Sequence, residues 1–354
     1  MITKSVKSKT VRWAVVGTGD IASTFADDIR LCSNAELVAV CSRTSDKAAG
    51  FSHRFGPLEI VPTIEALAAA PGIEAVYIAT PNTAHFDTAM TLITAGKPLL
   101  VEKPLTTTAA QARALAQGSA NSNVFVMEGL WTVFLPAVAH LRQIVNDGVI
   151  GAIRSVRGEL AFLKTFDPNS RFFSPELGGG SLLDLGIYPI ALTLSLFGNP
   201  QAVTGHWRQA GSIVDMSAEA ILSYRDFQAH LSCGFDRDGT NRFMIEGTKG
   251  TLAIDAPFLK ASRLLLARTG LARKLVMPEG NGIASRVLGK LARTLPLPGV
   301  RTYDHAFSGN GLQFEIEAAS RAILDGKTSE PSMPLDASVA ALEIIETILS
   351  RPAT

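Results

Sequence analysis

Short apolar runs and amphipathic stretches take turns along the first third of the chain. Val11–Val16 reads as a buried strand, the residues after it as a helix through Ile29, and Leu37–Cys41 as a second strand. Thr44–Phe55 and Thr63–Ala69 carry helical spacing, and Ala75–Thr80 (AVYIAT) is a third buried run. Ala84–Ala95 then predicts a helix closed by Gly96, Leu99–Val101 a strand, Thr107–Ala120 a helix and Val124–Met127 another strand. Apolar runs without polar alternation suit strands buried on both faces, and their exchange with helices predicts a right-handed, doubly wound parallel sheet.

From Glu128 the alternation stops. Phe134–Asp147 reads as an amphipathic connecting helix, and strand patterns follow at Ile153–Phe162, Ala202–Ala210, Met216–Tyr224, Phe227–Phe235, Arg242–Glu246 and Thr251–Asp255. Turn signals at Gly211, Arg225-Asp226, Asp236–Gly239 and Lys249-Gly250 separate them, so a mostly antiparallel sheet is expected, one face over helices and the other offering a broad contact between subunits. Gly309–Leu324 and Leu335–Leu349 read as two closing helices around Pro331–Pro334. The division expected is a flexible tail over 1–10, a dinucleotide-binding domain over 11–128 and a substrate-binding and oligomerisation domain over 129–354.

Composition narrows the class. Of 354 residues 47% are hydrophobic and 18% charged, a globular balance, and the net charge of +1 gives no pull toward nucleic acid or anionic membrane. Cys32, Cys41 and Cys233 are sparse and lack metal-type spacing, which suits a reducing cytoplasm. Met1–Thr10 is basic and polar without an apolar core, so a frayed tail is expected rather than a signal peptide, and no uncharged apolar run reaches the roughly 18 residues of a membrane span. No metal-ligand cluster is visible.

The chemistry gathers at strand ends. The first strand runs into Gly17-Thr18-Gly19-Asp20-Ile21-Ala22, so strand, GxGxxA, helix and strand follow in order. Gly17 permits the tight turn, Gly19 lets backbone N–H groups approach a pyrophosphate, and Ala22 lets the helix pack closely, with the helix N-terminus supplying partial positive charge. Where NAD sites place an acid, the second strand ends in Cys41-Ser42-Arg43-Thr44. Arg43 either opens the next helix as a solvated residue or meets a 2′-phosphate, to which Ser42 or Thr44 can add a hydroxyl, and with no acid present NADP(H) is favoured over NAD(H). Thr80, Pro81 and Asn82, and then Glu102, Lys103 and Pro104, follow two more strands, which predicts one shared crevice; His85 either joins it or packs locally. The cofactor set is therefore Gly17, Thr18, Gly19, Asp20, Ile21, Ser42, Arg43, Thr80, Pro81, Asn82, His85, Glu102 and Lys103. In the second half, Gly178–Gly180 leads into a helical pattern that sets Asp184 and Tyr188 four apart, on one side of an otherwise apolar helix.

GTGDIA, TPNTAH at Thr80–His85, VEKPL at Val101–Leu105 and GGGSLLDLGIYP at Gly178–Pro189 together resemble the glucose-fructose oxidoreductase, inositol dehydrogenase and MocA family of NAD(P)-dependent oxidoreductases. MEGLWTVFLPA at Met127–Ala137 is further similar to the branch holding dimeric dihydrodiol dehydrogenases and NADP-dependent xylose 1-dehydrogenases. The resemblance implies a Rossmann domain followed by an α/β domain with an open, largely antiparallel sheet. It implies Lys103 as catalytic lysine with Asp184 and Tyr188 completing the site, the tyrosine standing where many relatives carry histidine. The expected reaction is hydride transfer between nicotinamide and an alcohol carbon of a sugar, cyclitol or diol. Lys103 and Tyr188 are its expected acid/base pair, Asp184 is expected to orient the substrate or to pair with Lys103, and Trp131 and Phe162 are pocket walls or plain core. The expected association is a homodimer or homotetramer through the second sheet. A glycosidase or lyase working through a transient keto-sugar, a noncatalytic NADP-binding regulator and a membrane-associated scaffold are the rivals.

One segment departs from that branch. Between Leu259 and Tyr303 the basic residues Lys260, Arg263, Arg268, Arg273, Lys274, Arg286, Lys290, Arg293 and Arg301 face a single acid, Glu279. Ile283–Leu295 within it has the pattern of a basic amphipathic helix, either solvated, in a subunit contact, or placed against an anionic ligand or a lipid surface.

Overall fold

A computed structural model describes residues 9–209, 214–270, 272–273 and 298–353. The expected amphipathic helix over Ile283–Leu295 lies outside these residues, as does most of the tail over 1–10. In chain order the elements are β1 Val11–Val16, α1 Asp20–Asp28, β2 Ala35–Cys41, α2 Ser45–Phe55, β3 Glu59–Val61, α3 Ile64–Ala69, β4 Ala75–Ile78, α4 His85–Thr94, β5 Leu99–Glu102, α5 Ala109–Ser122 and β6 Val126–Gly129. There follow α6 Pro136–Asn146, β7 Ile153–Ala161, α7 Ile187–Phe197, β8 Ala202–Arg208, β9 Ser217–Ser223, β10 Gln228–Gly234, β11 Phe243–Gly247 and β12 Thr251–Ile254. The last are β13 Arg263–Ala267, β14 Val300–Asp304, α8 Leu312–Leu324 and α9 Leu335–Leu349.

Two compact units result, the first holding the described residues up to Trp131 together with Ser308–Leu342, the second Thr132–Phe307 and the residues from Glu343 on. In the first unit six strands are ordered β3-β2-β1-β4-β5-β6, every neighbouring pair parallel. Ala14, Val15, Val76, Ile78, Leu100 and Val101 are fully buried, as strands covered on both faces must be. Thr63 and Thr108 cap α3 and α5 by accepting the N–H groups of Ala66 (3.1 Å) and Gln111 (3.2 Å). The strand order reverses between β1 and β4, and in sheets of this kind ligands bind at that point, outside the carboxyl ends of the strands.

The second unit holds eight strands ordered β14-β13-β12-β11-β7-β10-β9-β8, antiparallel except where β7 meets β10. Burial alternates along β9 and β10, so one face is packed, and α7 lies against β7 and β10. By length and composition the helical stretch Pro175–Phe197 could cross a membrane, yet 83% of its apolar window is buried, as a core helix requires.

The domain boundary expected from the sequence needs correction at its far end. Residues 308–342 return to the first unit because Asp28, at the end of α1, accepts the backbone N–H groups of Asn310, Gly311 and Leu312 (each 2.9 Å) at the start of α8. Trp13 of β1, fully buried, donates its indole N–H to Ser320 of α8 (2.9 Å). The short β3 and the pair β13 and β14 also escaped the sequence reading.

Candidate active site

At the carboxyl end of β1, Gly17 has φ +112°, and its N–H donates to Cys41 O at the end of β2 (2.9 Å). A Cβ there would stand 2.4 Å from Ala79 O at the end of β4, so glycine is the side chain this turn accommodates. Gly19 caps α1 with no side-chain hydrogen bond, and a Cβ on it would meet nothing within 4 Å. Thr18, Asp20 and Ile21 complete the turn, and Ala22 is fully buried behind it. Thr80 Oγ1, past β4, is buried without a hydrogen-bond partner among the described residues. Ser42 and Arg43 follow β2; the Arg43 side chain is exposed and makes no ion pair or hydrogen bond among the described residues. A glycine cradle open to backbone approach, a hydroxyl and a guanidinium without partners among the described residues fit a dinucleotide at these strand ends.

Two strands over, β5 ends in Glu102 and delivers the half-buried Lys103. Everything around that turn holds its backbone. Glu102 accepts the Tyr77 hydroxyl of β4 in a short hydrogen bond and the Lys103 N–H at 3.1 Å. Glu128, which pairs with Val101 across β5 and β6, accepts the Leu105 N–H at 2.8 Å. His85 is fully buried, with Nδ1 2.9 Å from Pro104 O and Nε2 3.0 Å from Thr80 O. Burial pushes the imidazole pKa down, against the two carbonyls, which favour the protonated ring. His85 therefore sits between the loop after β4 and the turn after β5, its ring nitrogens facing one backbone carbonyl of each, and the neutral ring donates to one of the two; this is the local packing that the sequence reading set beside a cofactor contact. Pro81 and Asn82 lie on that same loop, exposed and half-buried. Trp131, half-buried, opens the 3-10 turn that follows β6.

In the second unit the triple glycine ends in a π-helical turn, Leu182–Gly186, before α7 begins. The single regular helix expected there is thus broken, and π turns of this kind concentrate at functional sites. Asp184 sits in the π turn and Tyr188 in the first turn of α7, both buried on a nearly all-apolar stretch. Arg171 donates to Asp184 Oδ1 at 3.3 Å. Phe162, half-buried, follows β7, its N–H bonded to Gly234 O (3.0 Å).

The turn rests on a residue the sequence reading missed, Asp215. Its Oδ2 accepts the Ser181 hydroxyl (2.6 Å) and the Leu182 N–H (2.7 Å), and Gly180, at φ +120°, leaves room for its Oδ1 where a Cβ would stand 2.3 Å away. Burial raises the Asp215 pKa, and those hydrogen bonds oppose it. Asp215→Ala would strand two buried donors at the start of the π turn, so a loss of about 2–4 kcal/mol in denaturant unfolding is expected, with turnover falling more than cofactor affinity. Unchanged turnover in the folded variant would remove Asp215 from the support of Asp184.

Comparison with known proteins agrees with the two sheets described above. Residues 11–130 match a family model described as an oxidoreductase family with an NAD-binding Rossmann fold, and residues 138–253 match the GFO/IDH/MocA C-terminal domain. A D-xylose 1-dehydrogenase (NADP(+)) of Hypocrea jecorina is 28% identical over 96% of this chain and 91% of its own length. A trans-1,2-dihydrobenzene-1,2-diol dehydrogenase of Sus scrofa is 31% identical over 70% of this chain and 75% of its own. The crystal structure of an aldose-aldose oxidoreductase from Caulobacter crescentus, complexed with glycerol, shares the fold with a TM-score of 0.81 at 23% identity, over 97% of both chains.

Proposed function

We propose that this chain, which belongs to the GFO/IDH/MocA family of NAD-binding oxidoreductases, uses NADP(H) to interconvert an alcohol and a carbonyl, at a secondary carbon or at C1 of a sugar, cyclitol or diol. That it is an NAD(P)-dependent enzyme acting on CH–OH groups follows from the family; the phosphate preference, the substrate class and the residue roles are the proposal. The observation that carries it is the carboxyl edge of the six-stranded sheet. There a turn that admits only glycine, a β2 end followed by Arg43, which has no ion pair or hydrogen bond among the described residues, and the braced Lys103 turn belong to one unit. The xylose dehydrogenase relative is named for NADP(+), which supports the phosphate.

When bound, the nicotinamide supplies the hydride acceptor, or the donor in the reverse direction. Gly17–Ile21 would hold the pyrophosphate, Ser42 and Arg43 the 2′-phosphate, and Thr80–Asn82 with Glu102 and Lys103 the rest of the cofactor. Lys103, as ammonium, donates a hydrogen bond to the reacting oxygen, and Tyr188 accepts or returns the hydroxyl proton. Asp184, steadied by Arg171, orients the substrate hydroxyls, and Trp131 and Phe162 wall the pocket. Association through the outer face of the eight-stranded sheet belongs to the same proposal, and the solution mass checks it.

Turnover of polyols, aldoses and glycosides with NADP+ and NAD+, followed by nicotinamide absorbance, tests the activity. Net cleavage with the cofactor unchanged would overturn it in favour of a redox-assisted glycosidase. Arg43→Ala is expected to weaken NADPH by about 10- to 100-fold, the worth of one charge-assisted contact, and to leave NADH nearly unchanged. Equal weakening of both in cofactor titrations would refute the phosphate contact.

A further inference from the structure

Behind the Lys103 turn the first unit buries more carboxyl groups than the reaction uses. Glu128 and Glu315 are both fully buried. Glu128, on β6, is fixed by its bond to Leu105 N, two residues past Lys103, and its Oε2 has no hydrogen-bond partner among the described residues. Glu315, in the first turn of α8, has neither carboxyl oxygen so bonded. We propose that Glu128 is a positioning residue for Lys103, its carboxyl group fixing the backbone of the turn and its protonation setting how firmly the lysine keeps its own proton. This rests on the reading of Lys103 as the ammonium of the reaction.

Ionisable and polar groups surround Glu128. Glu102 and Lys103 face it from β5 and the turn, Glu315 from α8, with Asp28 of α1 beyond, and the Ser338 hydroxyl of α9 lies near without reaching hydrogen-bond geometry. Burial, seconded by the Glu102 charge, pushes the Glu128 carboxyl up to about 7, while Lys103, Ser338 and Leu105 N–H pull the other way. Glu315, with no hydrogen bond to sustain a charge and the carboxylates of Glu102, Asp28 and Glu128 around it, is held protonated well above the usual range. One carboxyl group beside the lysine therefore changes charge near neutral pH. The other stays neutral. When Glu128 ionises it favours the ammonium; as an acid it does not.

The test is the pH profile of kcat/KM for the wild type, E128Q, E315Q and K103A. In E128Q the amide oxygen still accepts the Leu105 N–H, so the turn survives while the charge is gone. The alkaline limb, where Lys103 loses its proton, is expected to move about one unit toward acid, the shift that one lost neighbouring charge brings. E315Q replaces a group that is already neutral and is expected to leave the profile in place. Thermal unfolding gives a readout independent of turnover. Because the folded chain keeps the Glu128 proton to about pH 7 and the unfolded chain releases it near the ordinary value of 4.5, stability falls as pH rises through that window, and E128Q flattens the fall. An E128Q profile superimposed on the wild type, with K103A inactive, would overturn the inference and leave the reading of Lys103 standing. A shift seen in E315Q and not in E128Q would overturn it too. Near-normal turnover in K103A would sink the reading beneath it.

Discussion

Lys103→Ala is expected to lower kcat/KM by about 10³-fold while NADPH affinity stays within roughly threefold, the size and selectivity of losing a group that acts on the reacting oxygen. The separation of the two effects follows from how the turn is built. Glu102 is held by Tyr77, Leu105 N by Glu128, and Pro104 O by His85, and none of these bonds involves the lysine side chain beyond Cα. Truncating Lys103 is therefore expected to remove an ammonium and to leave these three bonds in place. The glycine turn and Arg43, on other strand ends, are untouched. Single-turnover rates against cofactor titrations make the comparison. A loss of NADPH binding as large as the loss of turnover would mean that Lys103 serves the cofactor and not the chemistry.

The second large effect separates two glycines only two residues apart. Gly17→Ala is expected to abolish measurable NADPH binding and to cost the fold several kcal/mol. A side chain at φ +112° is strained by about 1–3 kcal/mol, and its Cβ would overlap a strand-end carbonyl that cannot retreat without moving β4. Gly19→Ala meets neither problem. Its backbone, φ −78° and ψ −173°, suits any residue, and the added methyl touches nothing within 4 Å. Stability there is expected to fall by no more than about 1 kcal/mol. Cofactor affinity is nonetheless expected to drop at least tenfold, because the methyl stands where the pyrophosphate must approach the backbone. Melting curves and cofactor titrations of both variants read the difference. Full NADPH affinity in Gly19→Ala would remove the turn as the phosphate cradle.

The first unit was legible because its strands are short, apolar and separated by helices that obey their own period. β1, β4 and β5 fall at the expected places, and so do the residues just past their ends. β3 was not legible, being three residues with one buried side chain. β13 and β14 hid in a segment whose positive charge drew the eye before its short apolar run at Leu264–Ala267 did. The candidate site divides the same way. The residues proposed to meet ligands sit in turns whose glycines, prolines and charges announce them. The residues that hold those turns do not announce themselves: Glu128 and Asp215 look like ordinary polar positions beside strands, and Glu315 like the outer face of an amphipathic helix. Only the fold shows that all three are buried, and burial is what gives a carboxyl group its leverage. His85, which the sequence leaves between joining the crevice and packing locally, lies with its ring nitrogens against two backbone carbonyls.

The return of residues 308–342 to the first unit has a consequence for anyone who wishes to work with the halves separately. A cut after residue 131 would release a fragment whose Asp28 has lost the three amides it caps and whose Trp13 indole has lost its hydroxyl. Such a fragment would bare a carboxylate and a tryptophan edge along its open flank. Recovering a well-behaved nucleotide-binding half would call for grafting α8 back by a short linker, making one polypeptide from two stretches that lie far apart along the gene.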